Sequence, residues 1–159
     1  MSLFGNDKYK WRETYFVLFR RSDHPSVEDL ANALETGNNK VTNVNGDGEG
    51  RFESATVQSS EDFSGMDVTF VAGDEVRDHV QELLNDFAKQ TLSSEDHEKL
   101  NLLGECDSRF DIFHFEEVKN SSNDEEESLD PGALLLVIEQ IVYLCKGVGI
   151  DPQSGSLIT

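Results

Sequence analysis

The feature that most constrains the fold is the apolar stretch LDPGALLLVIEQIVYLCKG at residues 129–147. Asp130 is placed to act as an N-cap and Pro131 as the first helical residue, so the stretch predicts a helix at 130–146. Glu139 interrupts it, and it is shorter than the about 20 consecutive apolar residues that a bilayer requires. We therefore expect a helix that packs in a protein core and does not span a membrane.

This helix is amphipathic, because its apolar residues recur at helical spacing and form one wide face. The residues of that face are candidates for packing on the domain or on a partner chain: Leu134, Ile138, Ile141, Val142 and Cys145. Glu139 and Tyr143 lie on the opposite side. A face of this width is rarely left exposed on a monomer, so it covers either the rest of this chain or a partner chain.

The preceding sequence predicts a strand, a helix, two strands, a helix and a further strand, in that order. The first strand contains the continuous apolar run Tyr15–Phe19, Ser26 is the expected N-cap of the first helix, and a short additional helix starts near Ser94. This order matches the βαββαβ split unit, so we predict an α+β, ferredoxin-like sandwich. In that fold both helices lie on one sheet face, and we expect the C-terminal helix to cover the open face.

Changes in composition divide the chain into four segments. An α+β domain is predicted at 1–118, followed by a flexible acidic linker at 119–129 that contains the run Asp124–Glu127. The amphipathic helix follows at 130–146. Glycine and proline punctuate residues 147–159, which predicts a loose tail.

The chain has 32 acidic and 13 basic residues, a net charge of −19. Such a charge repels phosphate backbones and anionic lipid surfaces, so we expect neither nucleic acid nor a membrane as a partner. Two cysteines, Cys106 and Cys145, do not make a disulfide framework in a chain of this length, and the first residues carry no secretory signal. These features predict a reduced, cytoplasmic protein.

The glycine-rich stretch NVNGDGEGRFES resembles a calcium loop in outline, since Asn43, Asn45 and Asp47 alternate along it. An EF-hand loop requires a glutamate at its twelfth position, which is Ser54 here, and a flanking pair of helices. The same residues are typical of a hairpin turn. We favour the turn and retain a weak cation site as the alternative.

No pattern in the sequence points to a catalytic residue or a cofactor. The four histidines show no metal-ligand spacing with either cysteine, and His79 is expected on the solvent side of its helix. We therefore predict a non-enzymatic protein-interaction or regulatory module that forms a homodimer or binds a protein partner. The alternative is a small-molecule-binding or catalytic domain, with a pocket between the sheet and the C-terminal helix and with Tyr15, His114 and Tyr143 as its polar groups.

Overall fold

A computed structural model gives the fold and describes residues 3, 7–35, 39–59, 64–117 and 131–158. Within these residues the chain forms seven strands and four α-helices, which confirms the predicted α+β class. The strands are β1 Tyr9–Phe19, β2 Lys40–Gly46, β3 Phe52–Ser59, β4 Ser64–Ala72, β5 Ser108–Glu117, β6 Val148–Asp151 and β7 Ser156–Leu157. The helices are α1 Val27–Leu34, α2 Asp74–Phe87, α3 Ser94–Leu103 and α4 Pro131–Cys145. The acidic linker predicted at 119–129 lies outside the described residues.

The strands form one antiparallel sheet in the order β2-β3-β4-β5-β1-β6-β7. This order shows that the predicted ferredoxin-like topology is wrong. A split βαβ unit joins two parallel strands and leaves room for another strand between them. Here β4 and β5 are instead direct antiparallel neighbours, with β1 on the far side of β5.

The difference follows from the number of helices between β4 and β5. One helix carries the chain back along the sheet, so the next strand runs parallel to the strand before it. Two helices, α2 and α3, reverse the chain twice, so β5 enters the sheet antiparallel to β4 and pairs with it directly. The short helix that the sequence predicts near Ser94, observed as α3, therefore changes the topology.

Successive residues of β1 point to opposite faces of the sheet, as in any strand. Tyr15, Val17 and Phe19 face the layer formed by α1 and α4, whereas Phe16 and Leu18 face the layer formed by α2 and α3. The C-terminal helix thus shares its sheet face with α1, and α2 and α3 cover the other face. This corrects the expectation that the first two helices share a face and leave the opposite one to the C-terminal helix.

The structure describes the N-cap residues of three helices, α1, α2 and α3. Ser26 Oγ accepts a hydrogen bond of 3.1 Å from the N–H of Asp29 at the start of α1, which confirms the predicted cap. Ser93 does the same for α3. At α2 the capping residue is Gly73, whose φ of +105° suits glycine, and Asp74 is the first helical residue.

The tail predicted to be loose at 147–159 instead continues the sheet through β6 and β7. Lys146 adopts a left-handed conformation with φ of +53°, and the N–H of Gly147 donates to the carbonyl of Val142 at 3.0 Å, which closes α4 in a Schellman motif. A Cβ at Gly147 would lie 2.3 Å from the carbonyl oxygen of Leu18. Only glycine therefore allows the backbone to pass this close to β1 as it enters β6. In the sequence Gly147 is one of the residues that predict a loose tail, whereas in the structure it allows a strand to form.

Two strands at the edges of the sheet, β2 and β7, are poor templates for an added strand. The edge strand β2 changes register between Thr42 and Asn45, and Asn43 within it has a φ of +53°. The opposite edge, β7, is two residues long. Irregular and short edge strands are common means of preventing sheet-to-sheet association, so β2 and β7 are not favoured as interaction surfaces.

Candidate functional site

The inner face of α4 belongs to the core of this chain. The side chains predicted to form its apolar face are buried together with residues of β1, β5 and α1: Leu134, Ile138, Ile141, Val142 and Cys145. Leu30 and Leu34 of α1 lie in the same cluster. Because each fully buried aliphatic side chain contributes about 1.5–3 kcal/mol, this face is a major element of stability.

The outer face of α4 exposes large apolar groups. Leu136 is 59% exposed and Tyr143 is 86% exposed. They are seven positions apart, so they lie on one stripe of the helix about two turns apart. A shallow concavity of about 480 Å³ beside them is lined by Glu139, Gln140, Val142 and Tyr143. Tyr143 therefore points away from the sheet, and the prediction that it lines an inner pocket is wrong.

Tyr15 and His114, the other two predicted pocket groups, meet at a carboxylate that the sequence analysis missed. Glu13 Oε1 accepts hydrogen bonds from the Tyr15 hydroxyl at 2.9 Å and from His114 Nδ1 at 3.2 Å. Both donors are buried, whereas the Glu13 side chain is partly exposed. Burial, followed by the bond to Glu13, raises the pKa of Tyr15, which therefore stays protonated and acts as a donor.

Strand alternation brings Glu13 to this position. Glu13 and Tyr15 are two residues apart on β1 and therefore share the sheet face covered by α1 and α4. A β-bulge lies just before Glu13, because β1 has one residue, Arg12, more than its partner strand between the pairs Trp11–Phe115 and Glu13–His114. The bulge places Trp11, and not Glu13, on the α2 and α3 side.

A second polar cluster lies between the sheet and α2. Arg109, whose side chain is 9% exposed, forms a two-pronged ion pair with Asp111 on the same strand. Its guanidinium carbon lies 5.0 Å from the centre of the Phe16 ring, and its Nη1 lies 3.1 Å from Nδ1 of His79. The ring of His79 in turn contacts the ring of Phe16 edge-on, at 4.7 Å between centroids. The prediction that His79 lies on the solvent side of its helix is therefore wrong.

The neighbourhood of this cluster is acidic and open on one side. A shallow cavity of about 340 Å³ is lined by Phe16, Glu75, Asp78, His79, Glu82 and Arg109. Glu75 Oε1 lies 3.9 Å from Nη2 of Arg109. Burial and then the positive charge of Arg109 lower the pKa of His79, against the opposing effect of the carboxylates. The neutral imidazole is therefore the form that fits this geometry.

The two cysteines are free and buried. Burial raises the pKa of each thiol to about 12. At Cys106 the neighbouring charge of Asp107 adds to the effect of burial. Since the thiolate is the reactive form, both side chains act as small apolar groups at neutral pH.

The glycine-rich stretch is a hairpin turn between β2 and β3, which confirms the favoured prediction. Asp47 Oδ1 accepts hydrogen bonds from the N–H groups of Glu49 at 2.8 Å and Arg51 at 3.0 Å. These two hydrogen bonds lower the pKa of Asp47, and the bond from Arg51 has the larger effect. Asn45 directs its amide nitrogen at the carbonyl of Asn43. The Asp47 carboxylate thus stabilises the turn through these hydrogen bonds. The weak cation site remains a prediction.

The chain matches no protein-family model, no curated protein and no solved structure. Its class is therefore stated from its geometry: an α+β domain in which one antiparallel sheet separates two layers of two helices each, over the part of the chain that the structure describes. Across those same residues, no group of three or more His, Cys, Asp or Glu side chains is arranged to hold a metal ion. None of the described helices has the length and hydropathy needed to cross a membrane.

Proposed function

We propose that this chain is a protein-interaction module that uses the outer face of α4 to bind a basic, amphipathic segment of a partner protein. The observation that carries the proposal is the exposure of Leu136 and Tyr143 on one stripe of a helix whose opposite face is buried. Tyrosine is among the residue types that most often dominate the energetics of protein interfaces.

These two side chains are not explained by the needs of the fold. The sheet side of α4 already buries Ile138, Ile141 and Cys145 completely. Among the described residues, Trp11 is the only other large apolar side chain with comparable exposure, at 49%. It lies on β1 opposite Phe115, which points to the other sheet face. Of the three large apolar side chains that are exposed in the described part of the chain, two therefore share one helical stripe.

The charge of the chain indicates the chemistry of the partner. A net charge of −19 opposes close approach of a second acidic chain and attracts a basic one, both in encounter and in the polar rim around an apolar contact. A helix with an apolar stripe flanked by Lys and Arg would place its stripe against Leu136 and Tyr143. Helix-against-helix recognition through anchors at such spacing is a recurrent mode of peptide binding.

The alternative, a small-molecule or catalytic pocket between the sheet and α4, has less support. Its three expected polar groups do not converge, because Tyr143 lies on the outer face of α4. Tyr15 and His114 both direct a donor at Glu13. The predicted homodimer remains open, and the same experiment addresses it.

The test is a titration of the protein with two synthetic helices that share one Leu-rich stripe and carry either Lys or Glu on the other positions. We expect the basic helix to bind, the acidic helix to bind at least about tenfold more weakly, and the double substitution Leu136→Ser, Tyr143→Ser to abolish binding. Trp11→Ser is the matched control, because it removes an exposed aromatic group from the opposite side of the sheet.

Two outcomes would refute this assignment. Equal binding of the basic helix to the wild type and to the double variant would show that general charge attraction is the cause. Sedimentation of the wild type as a dimer that the double variant dissociates would assign the α4 stripe to a second copy of this chain instead.

A further inference from the structure

We propose that His79 is a pH-sensitive latch. When neutral it ties α2 to β5 and β1 through Arg109 and Phe16; when protonated it leaves Arg109 for the carboxylates of its own helix and loosens α2 from the sheet. The proposal concerns the α2 side of the sheet and is independent of the function proposed for α4.

The contact between Arg109 and His79 defines the protonation state of the ring. A guanidinium group has five N–H donors and no acceptor. At 3.1 Å from Arg109 Nη1, Nδ1 of His79 must therefore present its lone pair, and the ring proton resides on Nε2. Protonation of Nδ1 would place a donor against a donor and a cation against a cation. This contact can exist only while His79 is neutral.

The surroundings provide a second position for the protonated ring. The charged groups that face His79 come from α2 and β5: Glu75, Asp78, Glu82, Arg109 and Asp111. Glu75 precedes His79 by four residues and Glu82 follows it by three, so both lie beside it on the surface of α2. The cavity of about 340 Å³ next to the ring gives it room to turn towards them.

Movement of this ring would affect the attachment of α2 as a whole. The ring of His79 packs on Phe16 of β1 and meets Arg109 of β5, so it bridges the helix to two strands of the sheet. Val76 and Val80 remain as the neighbouring buried contacts of α2. Loss of the His79 bridge would leave them to hold this part of the helix. The expected change is therefore a looser α2 and not an unfolded protein.

NMR spectroscopy of the imidazole nitrogens tests the latch directly in the wild-type protein. At pH 7.5 we expect Nδ1 of His79 to give the signal of an unprotonated nitrogen, and we expect a nuclear Overhauser effect between the His79 and Phe16 rings. That effect should disappear as His79 is protonated, while the Phe16 ring resonances shift along the same titration curve. A protonated Nδ1 at pH 7.5, or a ring contact that persists through the titration, would overturn the proposal.

Two variants separate His79 from other titrating groups. His79→Gln keeps an oxygen that can accept from Arg109 but cannot be protonated, so the pH-dependent shift of the Phe16 ring should be lost. His97→Gln, which removes an exposed histidine of α3, should leave that shift unchanged. A shift that survives in His79→Gln, or disappears in His97→Gln, would assign it to a different group.

Discussion

On one face of the sheet, α1 and α4 pack through aliphatic and aromatic side chains; on the other, part of the attachment of α2 runs through ionisable groups. Ile138 of α4 and Leu30 of α1 are typical of the first layer, and both are completely buried. Arg109 and His79 represent the second layer, where their contact requires the imidazole of His79 to be neutral. Apolar contacts are indifferent to pH over the physiological range. The comparison teaches that one sheet can hold α4 by apolar contacts and α2 partly by ionisable groups, although the α4 face also contains the cluster of Glu13, Tyr15 and His114.

The largest effect should come from placing a charge in the α1 and α4 layer. Ile138→Asp would bury an unpaired carboxylate, and we expect a loss of about 4 kcal/mol or more, with aggregation. Glu139→Ala, one residue further along on the exposed side of α4, is the matched control and should be almost silent. Thermal melts with light scattering measure both. If the two variants behaved alike, the inner face of α4 would not be a core element.

Truncation tests the same layer more coarsely. Removal of residues 130–159 deletes α4, β6 and β7, and so uncovers apolar surface around Tyr15 and Val17 on one face and Leu18 on the other. We expect aggregation or a changed oligomeric state, visible by light scattering. A truncated chain that remained folded with an unchanged assembly would contradict the packing described above.

A smaller effect is expected from the α2 and α3 layer. Arg109→Leu retains the aliphatic bulk over Phe16 but leaves Asp111 without its ion-pair partner. The cost of such an unpaired group is about 1–3 kcal/mol. Urea denaturation should show this loss, together with a weaker attachment of α2. A variant as stable as the wild type would mean that the Arg109 ion pair contributes no net stability.

The two capping serines give a matched pair, one in each layer. Ser26→Ala removes the cap of α1 and should cost about 1 kcal/mol, the ordinary value for such a cap. Ser93→Ala removes the same bond from α3 and should cost less, because α3 buries only Leu103 completely whereas α1 buries Leu30 and Leu34. The midpoints of denaturant unfolding show which of the two variants loses more stability. The reverse ranking would contradict the expectation that α1 contributes more to stability than α3.

The smallest effect should be a pH dependence of stability caused by His79. Its pKa is lowered in the folded state, so between that value and the ordinary value of about 6.5 the unfolded chain binds more protons. Stability from this group is therefore present above about pH 6.5 and is lost as the pH falls through the folded pKa. Each unit of lowering corresponds to at most about 1.4 kcal/mol, reduced by partial exposure. Urea denaturation of the wild type at pH 7.5 and 5.0 should show a larger loss than His79→Gln.

Much of the local structure could be predicted from the sequence. Helical spacing predicts α1, α2 and α4, and Ser26 is the cap that it indicates. The apolar inner face of α4 could also be read, since residues three and four apart must share a side. These features depend on interactions between residues that are close together in the sequence, so the sequence is sufficient to predict them.

The strand order and the polar clusters depend on distant residues. The ferredoxin-like prediction failed because α3 reverses the chain once more before β5. Alternation places Glu13 on the same face as Tyr15, but its contact with His114 required the pairing of β1 with β5. The sequence did contain a signal for the cluster of Arg109, Asp111 and His79. Arg109 and Asp111 alternate with apolar residues in a strand, which places both on one face of the sheet. Their contact with His79 required the topology.

Hydrogen exchange at pH 7.5 and pH 5.0, corrected for the intrinsic effect of pH, tests the difference between the two layers most directly. We predict that the amides of α2 exchange at least about threefold faster at pH 5.0, and that those of α4 keep their protection. Protection that falls equally in α2 and α4, or that does not change in α2, would contradict a pH-responsive attachment of α2 beside a pH-independent attachment of α4.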